Sequence, residues 1–223
     1  MIKPLSRDQI AMRVAQDVPD GAYVNLGIGL PTLVANYVPS DREVIYHSEN
    51  GILGMGPAPP KGSEDPDLIN ASKQYVTLLP GGCYFRHDDA FVMIRGGHID
   101  LALLGAMQVA ANGDLANWST DNEKIPPGVG GAMDLAAGAK QVWILMEHVG
   151  RDGRPKILER CTFPLTAPAV VQRIYSSLAV IDVTPEGLLV REMVEALAFD
   201  ELQEKTGARL RLANDWRPIA IAS

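Results

Sequence analysis

The chain has 223 residues, 47% of them hydrophobic, and a formal net charge of −7. That is apolar material for one full α/β core, so a single domain over residues 1–223 is expected. The absence of any basic run argues against nucleic acid or an anionic membrane as main partner. No apolar stretch approaches the roughly 18–20 residues that a bilayer requires. The opening MIKPLSRDQIAMRVAQ lacks the apolar run of a secretion signal. Cys83 and Cys161 stand far apart without CxxC spacing, so they read as isolated thiols and the expected location is the cytoplasm.

In chain order, LSRDQIAMRVAQDVPDG predicts a helix: Ser6 is the N-cap, Gln9 the capping-box partner, and Ile10, Val14 and Val18 the apolar face. AYVNLGIGLPTLVANYV predicts a strand, a turn at Gly27 and Gly29, and a helix from near Pro31. EVIY, QYVTLLP, IDLALLGAMQV, QVWILM and LAVIDV read as strands. Their near-continuous apolar character implies burial on both faces, as in a parallel sheet covered by helices. TLVANYV, FVMIRGG, AMDLAAGA and TAPAVVQRIYS read as helices, and DVTPEGLLVREM as strand, turn and returning strand. AFDELQEKTG is a last helix closed by Gly207. GPAPPKGSEDPD and STDNEKIPPGVGG are loops. The fold class expected is α/β, with a single open, largely parallel sheet flanked by helices.

Glycines gather at strand ends: Gly27 and Gly29, Gly51, Gly81 and Gly82, Gly130 and Gly131. Open α/β sheets bind ligands beyond the carboxyl ends of their strands, where glycine admits close backbone approach. Glu49 closes the run VIYHSE and would sit in that crevice. A carboxylate there can be a general base, a metal ligand or a nucleophile, and a turn cap is equally consistent with its place. His87, Asp88 and Asp89 are the nearest ligand types, but their spacing forms no recognisable site, and no metal is expected.

SENG at 48–51 with ILGMGP behind it resembles the signature of the class I coenzyme A transferases, specifically their B or β chain. DLINASKQYVTLLPGG (67–82), MIRGGHIDLALLGAMQV (93–109), GDLANW (113–118), GVGGAMDLAAGA (128–139) and VTPEGL (183–188) resemble further blocks of that family, in family order. The resemblance implies the CoA-transferase fold, whose wider superfamily includes sugar-phosphate isomerases (NagB/RpiA-like) and ligand-sensing domains. It implies that Glu49 is the nucleophile, passing through an acyl-glutamyl anhydride to a glutamyl-CoA thioester. Gly131, beside Gly130, would supply an oxyanion N–H. Asn50 and Gly51 would hold the turn, and these two with Gly27 and Gly29 are candidate contacts for substrate or CoA.

CoA is implied as substrate, with no cofactor. The implied partner is an A-type subunit completing the active site in a hetero-oligomer. The blocks are most similar to the 3-oxoacid group, with succinyl-CoA as donor and 3-oxoadipate, or alternatively acetoacetate, as acceptor. His47, Arg95, His98, Asp114, Asn117, Trp118 and Asp134 remain polar residues with structural explanations at least as good as functional ones.

Overall fold

A computed structural model describes residues 2–120 and 128–221. The strands are β1 (Tyr23–Leu26), β2 (Ile45–Ser48), β3 (Ile52–Met55), β4 (Leu78–Tyr84), β5 (Leu101–Gly105), β6 (Gln108–Ala110) and β7 (Leu115–Ala116). They continue with β8 (Gln141–Met146), β9 (Ile157–Leu158), β10 (Arg173–Ser176), β11 (Ala179–Thr184), β12 (Gly187–Met193) and β13 (Leu210–Pro218). The helices are α1 (Arg7–Asp17), α2 (His87–Arg95), α3 (Ala132–Gly138) and α4 (Phe199–Glu204), with a 3₁₀ helix over Leu30–Asn36.

α1 begins where its sequence says it should. The Gln9 N–H donates to Ser6 Oγ (3.2 Å) and the Ser6 N–H to Gln9 Oε1 (2.9 Å), the reciprocal pair of a capping box. Its face of Ile10, Val14 and the following Val18 is buried. Ten strands form one open sheet in the order β13-β12-β11-β10-β8-β5-β1-β2-β3-β4. The centre, β10-β8-β5-β1-β2, is parallel throughout. In β5 and β8 every second side chain enters the same core. Ala102, Leu104, Val142 and Ile144 face one side, and Leu101, Leu103, Trp143 and Leu145 the other. Period-2 alternation between two apolar layers is why these strands read as unbroken hydrophobic runs.

Away from the centre the sheet turns antiparallel, through β3 and β4 on one flank and β11 and β12 on the other, before β13 adds a parallel edge. TAPAVVQRIYS is not a helix: its second half is β10, paired in parallel with β8. Pro168 cannot donate within a helix, and Val170, Val171 and Ile174 are stiff at χ1 and suited to a pleated surface. The chain through QYVTLLP enters its strand only at Leu78 and continues across Gly81 and Gly82, which therefore lie inside β4 and not at a strand end. IDLALLGAMQV divides at Gly105, and its tail pairs as β6 in a small second sheet, β7-β6-β9, that sequence reading did not separate. TLVANYV lies partly in the 3₁₀ helix. Residues 121–127 of the expected loop STDNEKIPPGVGG lie outside the described residues.

Candidate active site

β2 ends at Ser48, and the chain reverses at once into β3, with His47 opposite Leu53 and Ser48 opposite Ile52. Glu49 and Asn50 occupy the two central positions of that turn, closed by the Gly51 N–H on the Ser48 carbonyl (3.0 Å). Gly51 has φ +110°, and a side chain there would run into the Phe85 carbonyl, so only glycine fits. Asn50 accepts from Ser48 Oγ (2.6 Å) and donates to the Ile69 carbonyl (2.7 Å), while Ser48 Oγ accepts the Ala71 N–H (3.0 Å). The turn is pinned on one side by residues 69–71 and on the other by the segment leading into α2.

That turn sets the Glu49 side chain in a cleft of about 360 Å³ beyond the carboxyl ends of β1 and β5. Gly27, Gly105, Asn117 and the glycine segment before α3 line it with Glu49. Gly131 caps α3, and a Cβ added to it would collide with Glu49 Oε2. The neighbouring Gly130 has φ +53°. Glu49 is half-buried. Burial pushes its carboxyl above the usual range, nearby His87 opposes the rise, and Asp134 adds to it. The arrangement is a partly desolvated carboxylate facing a glycine turn, with room beside it for a ligand.

The other sequence candidates divide. Gly27 lines the cleft and packs its backbone on β5, its N–H on the Leu103 carbonyl (2.8 Å). Gly29, at φ +90°, starts the 3₁₀ helix instead. His47 is buried against Phe85, with Nδ1 3.0 Å from Asn25 Nδ2, and burial lowers its pKa to about 4. It is therefore neutral at physiological pH and presents no charge to a substrate. Arg95 pairs with Asp134 (2.7 Å), tying α2 to α3. His98 is exposed. Asp114 accepts the Ala169 N–H (2.9 Å), Asn117 bridges Gly105 and Thr166, and the Trp118 indole donates to Leu165 (3.1 Å), so this block orders the loops behind the cleft. Cys83 is exposed, and burial raises the half-buried Cys161 thiol to about 11. Among the described residues no three His, Cys, Asp or Glu side chains gather as a metal site.

Two residues escaped sequence reading. Asn25, a polar residue within the apolar run YVNLG, lies buried at the cleft floor and bonds His47. His87 stands out in the sequence only beside Asp88 and Asp89, as part of a ligand-type cluster. Its ring instead reaches back to the Glu49 backbone, Nδ1 to O 2.8 Å. No local pattern announces that contact, because the two residues are far apart in sequence.

An open α/β sheet with a half-buried carboxylate in a crevice at its strand ends fits an enzyme of covalent or acid–base type. The coenzyme A transferase family model matches residues 7–205, and the chain belongs to that family. The chain is 60% identical over 206 residues to the B subunit of the 3-oxoadipate CoA-transferase of Acinetobacter baylyi, covering 92% of this chain and 95% of that protein. It is 48% identical to the B subunit of the succinyl-CoA:3-ketoacid coenzyme A transferase of Helicobacter pylori, covering 92% and 99%. Among solved structures, the acyl-CoA transferase YdiF of E. coli O157:H7, in a thioester complex with CoA, superposes with TM-score 0.73 at 15% identity, over 99% of this chain and 43% of that one. The decarboxylase AibA/AibB superposes with TM-score 0.70 at 18% identity, over 98% and 90%. One fold thus carries two chemistries, and the reaction has to be argued from the site.

Proposed function

We propose that this chain is the glutamate-bearing subunit of an enzyme that moves CoA from succinyl-CoA to 3-oxoadipate. The observation that carries the reading is the Glu49 carboxylate, half-buried in the cleft and abutting Gly131. The 60% identity to the corresponding chain of a 3-oxoadipate CoA-transferase supports the choice of acceptor.

Glu49 attacks the thioester carbonyl, forming a C–O bond and a tetrahedral oxyanion. Collapse breaks the C–S bond and releases CoA thiolate, leaving a mixed anhydride. The thiolate then adds to the Glu49 carbonyl and expels succinate, which leaves a glutamyl-CoA thioester. The acceptor carboxylate reverses the sequence: it attacks the glutamyl thioester, and the returning thiolate takes the new acyl group and frees Glu49. No ATP is needed, because the thioester bond is exchanged and never hydrolysed.

The site suits each step. Partial burial leaves a more basic carboxylate with fewer waters to shed. The Gly131 N–H serves as one oxyanion donor, and such a donor is worth roughly 3–4 kcal/mol in a hydrolase. A partner subunit, of the kind implied by the names of the relatives, supplies the second donor and closes the cleft.

The test is an intact-mass spectrum of the chain with its partner subunit after incubation with succinyl-CoA, followed by peptide mapping. A gain of CoA less water on Glu49, absent in Glu49→Ala, is expected, with faster turnover of 3-oxoadipate than of acetoacetate. An unmodified Glu49 in a complex that consumes succinyl-CoA would refute the mechanism. A preference for acetoacetate would overturn the acceptor alone.

A further inference from the structure

Glu49 is held by more than its own turn, and the additional hold comes from the segment entering α2. The Phe85 N–H donates to the Gly51 carbonyl (3.0 Å), and two residues later His87 Nδ1 lies 2.8 Å from the Glu49 carbonyl oxygen. A carbonyl only accepts, so Nδ1 carries the proton and a neutral His87 has its lone pair on Nε2.

α2 repeats its contact with the site at helical spacing. His87, Phe91 and Arg95 fall at i, i+4 and i+8, on one face. The His87 and Phe91 rings meet edge-on at 4.8 Å, and the Arg95 guanidinium lies 5.5 Å from the Phe91 centroid. Arg95 in turn holds Asp134 in the first turn of α3 (2.7 Å). A Cβ at Gly131 would lie 3.1 Å from Phe91 Cζ as well as colliding with the Glu49 carboxylate. The stripe therefore runs from the backbone of Glu49 to the start of α3, with the carboxylate and Phe91 both bordering Gly131.

The charged groups acting on the carboxylate are His87 from α2, which favours its ionised form, and Asp134 from α3, which opposes it. Asp134 is itself paired with Arg95. In the first turn with His87 stand Asp88, paired with Arg86, and Asp89.

We propose that His87 is a positioning residue for Glu49: its Nδ1–H holds the Glu49 carbonyl so that the carboxylate is aimed at the Gly131 turn. This rests on the reading of Glu49 as nucleophile. A bond that merely stabilised the hairpin would change melting temperature and leave the rate of the folded complex alone.

The test measures the rate of glutamyl-CoA formation by quenched-flow mass spectrometry at neutral pH, beside the melting temperature of each variant, in the complex with its partner subunit. His87→Asn keeps an amide donor near the Nδ1 position and should keep the wild-type rate. His87→Phe loses the donor and should lower the rate about tenfold, through lost aim, at a temperature where the complex is fully folded. A wild-type rate in His87→Phe, with Glu49 still labelled, would overturn the proposal and leave the nucleophile standing. A wild-type complex that turns over without labelling Glu49 would remove both. If His87→Phe does not fold, His87→Ala takes its place with the same expected loss.

Discussion

A carboxylate that adds to a thioester, the role proposed for Glu49, has to be ionised, partly dry and unable to swing away. The residues around Glu49 meet these needs against one another. Burial and Asp134 raise its pKa, and His87 draws it back. Because the folded value lies above the unfolded one, Glu49's contribution to stability is complete at pH below its ordinary range. It is lost as pH rises through the folded value. Glu49→Gln should therefore leave the fold as stable as wild type, or more so, at neutral pH, with the difference vanishing in acid. Turnover should fall by at least ~10³-fold. Denaturant titrations at several pH values check the first outcome, and steady-state assays of the complex check the second. A Glu49→Gln chain clearly less stable at pH 7 would mean that the side chain serves the fold. Glu49 itself was legible from SENG at the end of an apolar run. Its neighbours Asn25 and His87 were not, since contacts between distant segments leave no local pattern.

Elements are joined here by a buried ion pair that no periodicity foretells. Arg13 on α1 makes a two-pronged contact with Glu192 on β12 (2.7 and 2.8 Å), and the two side chains are only 6% and 4% exposed. Burial alone would raise the Glu192 carboxyl, but hydrogen bonds from Arg13 and Arg217 outweigh it and hold it below the usual range. Arg13 keeps Asp17 as a partner (2.8 Å), so Glu192→Ala removes two charge-assisted hydrogen bonds without leaving the guanidinium unpaired and should cost about 1.5–3 kcal/mol, whereas the double change Arg13→Met with Glu192→Leu should recover part of it. Urea unfolding of Glu192→Ala, of Arg13→Met and Glu192→Leu singly and of the double variant measures this, and additive losses in the cycle would exclude the pairing as the cause. At this scale sequence reading succeeded where a cap or a long apolar run was present, as in α1, β5 and β8. It failed at β10, whose four residues follow a run of alanine and valine that carries no strand alternation of its own, and at β3, hidden among glycines.

For the whole molecule, the cleft lies at one end of the sheet with apolar residues exposed around it. Ile28, on the cleft lining, is 72% exposed, and Val92 and Met133 on the flanking helices are 66% and 38% exposed. Such a rim fits a surface covered by a partner subunit. On the proposed reading, in which the partner supplies the second oxyanion donor, the chain alone should form glutamyl-CoA at below about one hundredth of the rate in the complex. Mixing the purified subunits should restore the rate. Equal rates with and without the partner would show that this chain contains the whole active site.

Apolar run lengths, the Ser6–Gln9 cap and the SENG turn sufficed in the sequence for an α/β sheet, a carboxylate at a strand end and a CoA-transferase resemblance. Each of these depends on neighbours a few residues apart, whose chemistry is visible in order along the chain. Whereas the β11–β12 hairpin was legible in DVTPEGLLVREM, the antiparallel β3–β4 flank, the second sheet, the approach of Gly131 to Glu49 and the reach of His87 to its carbonyl were decided by tertiary structure alone. They arise from strand pairing and packing between segments tens of residues apart, where what meets what is settled only when both apolar faces of the sheet are buried together.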